Sequence, residues 1–107
     1  MISVLIVEDS PTILQYLSAL VEAEPDLYVI GTAVDGLDAV NKVKRLKPQV
    51  VIMDIEMPKL DGIAATRQIM AESPVPIVIC SANLGQNLVE KSYRAIEAGA
   101  LAAVVKP

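Results

Sequence analysis

The stretch Val50-Val51-Ile52-Met53-Asp54 consists of four apolar side chains that run directly into a carboxylate. A short run of this kind predicts a strand that is buried on both faces of a sheet. Three other apolar runs of similar length also end at polar or charged residues. They are Val4–Val7 before Glu8 and Asp9, Ile77–Cys80 before Ser81, and Leu101–Val105 before Lys106. Because the carboxyl ends of parallel strands meet at one edge of a sheet, we expect these polar residues to converge there.

Segments with helical periodicity separate the predicted strands. The first begins at Ser10-Pro11, where an N-cap residue precedes a proline at the first helical position, and it ends before Pro25. Leu27–Ala33 predicts a further strand, and Asp35-Gly36 predicts a turn. The positions that define the four helical faces are Ile13, Leu14, Leu17, Leu20 and Val21; Ala39, Val40, Val43 and Leu46; Ile63, Ile69 and Met70; and Leu88, Val89, Ser92, Tyr93 and Ile96.

This alternation predicts an α/β fold, a doubly wound parallel sheet of five strands with helices on both faces. In the flavodoxin-like strand order 2-1-3-4-5, the first and third strands are neighbours, which would bring Asp9 close to Asp54. That order normally has a fifth helix, which shares one face of the sheet with the first, and the sequence predicts only four helices. We therefore expect half of that face, over strands one, three, four and five, to be bare. A homodimer, exchange of an element with a neighbour, or low stability would follow.

Composition limits what the chain can do. Its 107 residues are 53% hydrophobic, which predicts a single folded domain over residues 1–107. The net charge of −4 argues against direct binding to nucleic acid, and the basic positions Lys42, Lys44, Arg45 and Lys47 are interpreted as a solvated helix face. The single cysteine, Cys80, lies in an apolar run and is interpreted as a buried side chain. No apolar stretch is long enough to span a membrane, and the first residues do not resemble a signal peptide, so we expect a cytoplasmic protein.

The converging charges predict a particular chemistry. Clustered carboxylates repel one another, and a hard divalent cation such as Mg²⁺ removes that penalty. The remaining coordination positions of the cation suit a phosphoryl group, which the Lys106 ammonium would pair with and the Ser81 hydroxyl would hydrogen-bond. A carboxylate held in line with a phosphoryl donor can act as a nucleophile. Asp54 is the best candidate, because it ends the central buried strand.

The same residues resemble a known family, the receiver domains of two-component response regulators, over essentially the whole chain. The resemblance is carried by a distributed pattern, in order along the sequence. Its parts are Glu8-Asp9, Asp54 with Met57-Pro58 and Asp61-Gly62 after it, Ser81-Ala82, and Lys106-Pro107. Within the family, Glu56 and the stretch from Arg94 to Ala100 are most similar to chemotaxis methylesterase receivers.

The resemblance implies a role for each matching residue. Asp54 would be the phospho-acceptor, Ser81 the switch hydroxyl, and Lys106 the lysine that pairs with the phosphate. Glu8, Asp9, Asp54 and the backbone carbonyl of Glu56 would hold Mg²⁺. One position departs from the family, since Ala103 stands where receivers usually carry an aromatic switch residue. The usual coupling through an aromatic ring therefore cannot operate in this chain.

By this resemblance the chain is a signalling switch of a two-component, chemotaxis phosphorelay and not itself an enzyme. Its partners would be a histidine kinase or phosphotransfer protein and an output domain or effector, such as an attached methylesterase. Two other classes stay open on the residues alone. A small Mg²⁺-dependent aspartyl-phosphate phosphatase would use similar parts, with Glu56 as its second acid. A flavin-binding protein is disfavoured by the low aromatic content of 3%.

Overall fold

The computed structural model describes residues 1–81 and 88–106. Within these residues the chain alternates between strands and helices. The strands are β1 (Ile2–Val7), β2 (Leu27–Ala33), β3 (Val50–Asp54), β4 (Ile77–Ser81) and β5 (Ala102–Val105). The helices are α1 (Pro11–Glu22), α2 (Gly36–Leu46), α3 (Gly62–Glu72) and α4 (Leu88–Glu97). Ala82, Pro107 and the side chain of Leu88, all used in the sequence interpretation, lie outside the described part.

All neighbouring strands of the sheet are parallel, and their order is β2-β1-β3-β4-β5. The predicted fold class, strand order and four helices are therefore confirmed. The strands differ from the prediction only at their ends. β1 begins two residues earlier than predicted, and Asp54 and Ser81 are the last residues of their strands rather than the first residues beyond them. β5 begins at Ala102, one residue later than predicted.

Three of the helices begin at a capping side chain, and each cap also fixes the loop that precedes the helix. Ser10 accepts a hydrogen bond from the Ile13 N–H at 3.4 Å, and Pro11 follows it at the first helical position. Asp35 caps α2, and Asp61 caps α3, each with a 2.8 Å hydrogen bond. Since the loops at these three caps adjoin the carboxyl ends of β1, β2 and β3, the caps hold that edge of the sheet in place.

The helices cover the two faces of the sheet unequally. Side chains of α2, α3 and α4 pack with Leu5, Val7, Val51 and Ile79 into the larger apolar core. On the other face, Leu17 and Val21 of α1 cover Val4 and Ile6, which are at most 1% exposed. The expectation that β1 would be bare on this face was therefore wrong, because α1 lies over it.

The same face is incompletely covered farther across the sheet. The strand register places Ile52, Val78 and Ala102 side by side on the α1 side, and all three are half-buried. Val104, on the same side of β5, is 44% exposed. We refer to Ile52, Val78, Ala102 and Val104 as the apolar strip. The expected bare surface is thus narrowed to the strip, where the side chains are partly rather than fully exposed.

No helix among the described residues is both long enough and apolar enough to cross a lipid bilayer.

Candidate functional site

The carboxyl ends of the strands form one acidic cleft, with a volume of about 210 Å³. Parallel strands deliver their ends to the same edge, and here that edge carries both acidic and basic side chains. Glu8 follows β1, Asp54 ends β3, Ser81 ends β4, and Lys106 follows β5. The full lining is Glu8, Asp9, Ser10, Ile13, Asp54, Glu56, Ser81 and Lys106. The structure therefore brings together every side chain that the sequence placed in the site.

Lys106 lies at the centre of the described ion pairs in the cleft. Its Nζ is 2.6 Å from Oε1 of Glu8 and 3.1 Å from Oδ1 of Asp54. The Lys106 side chain is only 10% exposed, and burial by itself would lower its pKa. The hydrogen bonds and charges of Glu8 and Asp54 outweigh burial, so the pKa of Lys106 is raised and the ammonium stays charged.

Asp54 is a buried carboxylate with two described hydrogen-bond donors. It is 7% exposed, and its Oδ1 also accepts a hydrogen bond from the Ile55 N–H at 3.0 Å. Burial raises the pKa of Asp54, and the nearby Glu8 charge raises it further, although the bonds to Lys106 and Ile55 oppose these effects. The carboxylate is therefore held by its neighbours in a place where its charge is costly, which is typical of functional acids.

Glu8 and Asp9 differ sharply in their environments. Glu8 is 1% exposed, and its Oε2 accepts a hydrogen bond from the Ser10 N–H at 3.1 Å while Oε1 contacts Lys106. Asp9 is exposed. One oxygen from each of Glu8, Asp9 and Asp54 lies within 4.8 Å of the other two. Three clustered carboxylates are hard oxygen donors, so the residues present fit a divalent cation such as Mg²⁺.

Ser81 is buried at 5% exposure and lines the cleft beside Lys106. The Lys106 backbone N–H donates to the Ser81 carbonyl at 3.0 Å, which continues the pairing of β4 with β5 to the edge of the sheet. This pairing fixes the lysine beside the strand end that carries the hydroxyl.

Gly62 shapes the loop that follows Asp54, and the sequence interpretation had used this glycine only as part of the family pattern. Its N–H donates to the Ile55 carbonyl at 2.7 Å, and a Cβ at this position would lie 1.9 Å from the Asp54 carbonyl oxygen. Only glycine allows this approach of backbone to backbone, so the residue helps to set the position of Asp54.

Glu56 lies at the mouth of the cleft, where its side chain is 68% exposed and forms an ion pair with Lys91 of α4. For the metal site, sequence reasoning used only the backbone carbonyl of Glu56, and it missed Lys91. Lys91 is far from Glu56 in the sequence and lies on a helix with a polar face, so no spacing signal could have identified it.

Comparison with known proteins agrees with this geometry. Residues 4–107 match the family model of the response regulator receiver domain. A protein-glutamate methylesterase/protein-glutamine glutaminase of Geobacter metallireducens is 51% identical over all 107 residues, and one of Syntrophus aciditrophicus is 48% identical. In both cases the chain spans 31% of the relative's length, so it corresponds to about a third of these proteins.

Solved structures give the same result. The response regulator domain of Thermotoga maritima CheB superposes with a TM-score of 0.92 at 38% identity, covering 100% of this chain and 79% of that one. The CheX-CheY-BeF3-Mg²⁺ complex of Borrelia burgdorferi contains a chain that matches with a TM-score of 0.88 at 32% identity. That match covers 99% of this chain and 78% of the Borrelia chain. The chain belongs to the response regulator receiver domain family, and within it to the chemotaxis methylesterase type.

Proposed function

We propose that Asp54 is the phospho-acceptor of this receiver domain and that its phosphorylation is the signal the domain transmits. The observation that carries the proposal is the Lys106 ammonium, bonded to both Glu8 and Asp54 inside the cleft. This arrangement keeps one cation beside the carboxylate that would take up a phosphoryl group.

The roles of the other residues follow from charge and position. The carboxylate oxygens of Glu8, Asp9 and Asp54, with the backbone carbonyl of Glu56, would hold Mg²⁺. When bound, the cation offsets the negative charge that builds up during phosphoryl transfer. Lys106 would move its contacts from Asp54 to the phosphoryl oxygens, and the Ser81 hydroxyl would donate a hydrogen bond to one of them. The solved Borrelia relative, whose complex includes BeF3 and Mg²⁺, supports this assignment.

The domain would act on a larger assembly. Since this chain corresponds to about a third of the methylesterase relatives, we propose that it regulates a methylesterase output domain or a separate effector. Its phosphoryl group would come from a histidine kinase or phosphotransfer protein. By itself the chain would not be an enzyme beyond its own phosphorylation. We also propose that the 107-residue chain self-associates through the apolar strip.

The alternative of a small aspartyl phosphatase is not favoured. Such an enzyme would need Glu56 as an acid beside the reacting group. Instead, the Glu56 side chain is largely exposed and paired with Lys91, and the chain itself matches the response regulator receiver domain family.

The test of the acceptor is the Asp54→Asn variant, which keeps the shape of the side chain and removes the nucleophile. Wild type incubated with acetyl phosphate and Mg²⁺ should gain the mass of one phosphoryl group, and omission of Mg²⁺ should prevent this. The Asn variant should gain none under either condition. Equal labelling of the variant would show that another residue is the acceptor.

A further inference from the structure

Glu56 is a fourth carboxylate at the cleft that already holds Glu8, Asp9 and Asp54. Among the described residues that line this cleft, Lys106 carries the only ammonium, and it is shared between two of those carboxylates. An additional unpaired negative charge at the mouth would repel a phosphodonor, which is itself an anion, and would attract a divalent cation.

Lys91 of α4 pairs with this fourth carboxylate. The Lys91 side chain is 21% exposed, whereas that of Glu56 is 68% exposed. The lysine stem is therefore packed along the protein while its ammonium reaches the mouth of the cleft. The pair neutralises the Glu56 charge and fixes the direction of its side chain towards α4.

We propose that Lys91 is a positioning residue for phosphorylation: it holds the Glu56 carboxylate at the mouth of the cleft and neutralises it, so that an anionic phosphodonor can approach Asp54. The proposal rests on the proposed function of Asp54. It also gives the acceptor loop a direct contact with α4, in a chain whose Ala103 has no ring to provide one.

Two effects of opposite sign follow if Lys91 loses its charge. Phosphorylation by an anionic donor slows, because the Glu56 carboxylate is no longer neutralised. Mg²⁺ binds more tightly, because the cleft has become more negative. A general disturbance of the fold would weaken both processes, so the opposite signs separate positioning from mere structural damage.

The experiment compares wild type, Lys91→Met, Glu56→Gln and the double variant. The rate of labelling by acetyl phosphate is measured at saturating Mg²⁺, and Mg²⁺ affinity is measured separately by calorimetry. For Lys91→Met we expect labelling about two- to fivefold slower and Mg²⁺ binding tighter by a similar factor, the range for an exposed ion pair. In the Glu56→Gln background, Lys91→Met should change neither quantity, because its partner is already absent.

Two control variants accompany this comparison of the single and double variants. Lys44→Met removes the lysine of another exposed Lys–Glu pair, with Glu72, that does not line the cleft, and it should behave as wild type. Lys91→Arg keeps the positive charge and should also label as wild type. The difference between wild type and Lys91→Met should shrink as salt is added, because exposed charges are screened.

Several results would overturn the proposal while leaving Asp54 as the acceptor. These are normal labelling of Lys91→Met, persistence of its defect in the Glu56→Gln background, or an equal defect in Lys44→Met. If wild type itself is not labelled, the proposed function fails instead, and the Mg²⁺ measurements still test the pairing. Unchanged or weaker Mg²⁺ binding by Lys91→Met would then contradict the inference.

Discussion

At the scale of single residues, Asp54 is held in a place that disfavours its charge. Because burial raises its pKa in the folded state, the native protein binds a proton at Asp54 more tightly than the unfolded chain does. The resulting destabilisation is fully present above the raised pKa. It disappears as the pH falls below about 4, the ordinary range of an aspartate.

This predicts the effect of Asp54→Asn on stability. In Mg²⁺-free buffer at neutral pH the Asn variant should melt at a higher temperature than wild type, because it has no charge to bury. Its advantage should shrink as the pH is lowered through the acid range, where wild type becomes protonated. Thermal melts of both proteins at several pH values measure this difference. A variant that is less stable than wild type at neutral pH would show that the bond to Lys106 outweighs burial.

A second prediction separates the two acids that follow β1. Asp9 is exposed at the cleft, whereas Glu8 is buried and already engaged by Lys106 and the Ser10 N–H. We therefore expect Asp9→Ala to weaken Mg²⁺ binding more than Glu8→Ala, because Asp9 is freer to coordinate a cation. Calorimetric titration of the three proteins with Mg²⁺ decides between them, since the chain has no tryptophan to report binding. If Glu8→Ala proves more damaging, the ligand roles of the two acids should be exchanged.

The buried residues of the cleft could be predicted from the sequence. Glu8, Asp54 and Lys106 each follow or end an apolar run, and the parallel sheet brings such ends together. The sequence could not predict the pair of Glu56 with Lys91, because that contact depends on how α4 is placed against a loop.

At the scale of elements, α2 is hydrogen-bonded to the loop that follows Asp54. The Gly36 N–H at the start of α2 donates to the Leu60 carbonyl at 3.0 Å, and Lys59 contacts Asp35 at 3.7 Å. A Cβ at Gly36 would lie 2.1 Å from the Leu60 carbonyl oxygen, which belongs to backbone and cannot move aside cheaply. The close approach of helix to loop therefore requires glycine.

Gly36→Ala should lower the free energy of unfolding by about 1–3 kcal/mol, the usual cost of overpacking. The opposite sign would follow from helix propensity alone, which favours alanine over glycine by about 1 kcal/mol. Gly31→Ala is the matched control: its Cβ would lie 2.7 Å from the end of the Leu46 side chain and 3.7 Å from the end of Leu5, with no backbone atom as close, and we expect a smaller loss. Urea unfolding of the two variants and wild type measures both. Equal losses of unfolding free energy would mean that a clash with the Leu60 backbone costs no more than a clash with the end of a side chain.

The predicted elements were confirmed because apolar periodicity and capping residues agree along most of the chain. Their ends were less predictable. Asp54 is paired with Cys80, and Ser81 with Val105, so backbone pairing continues one residue beyond the apolar run. The apolar pattern of a sequence depends on its side chains, whereas a strand ends where its backbone hydrogen bonds end. The two ends need not coincide.

At the scale of the whole molecule, the two faces of the sheet are covered by different numbers of helices. Three helices pack on one face, and α1 alone packs on the other among the described residues. The sequence predicted this imbalance from the count of helices. It placed the bare surface too broadly, because α1 buries Val4 and Ile6 of β1, whereas Ile52 of β3 is only half-buried.

The apolar strip predicts weak self-association of the 107-residue chain. Val104 is the most exposed member of the strip and lies on β5, at the edge of the sheet, where a second copy could approach without displacing a described helix. A surface this narrow would form a small interface, so association should be weak and depend on concentration. Sedimentation of wild type over a wide concentration range should show its average mass rising.

Val104→Glu should prevent this rise, because association would then bury a charge without a partner. Val34→Glu is the control: Val34 is 52% exposed, between β2 and α2 and outside the strip, so the variant adds the same charge and should associate as wild type does. Both variants should melt close to wild type, since neither side chain is buried in a single copy. A wild-type chain that stays monomeric at every concentration would show that the strip does not drive association. Equal association by both variants would place the interface elsewhere on the molecule.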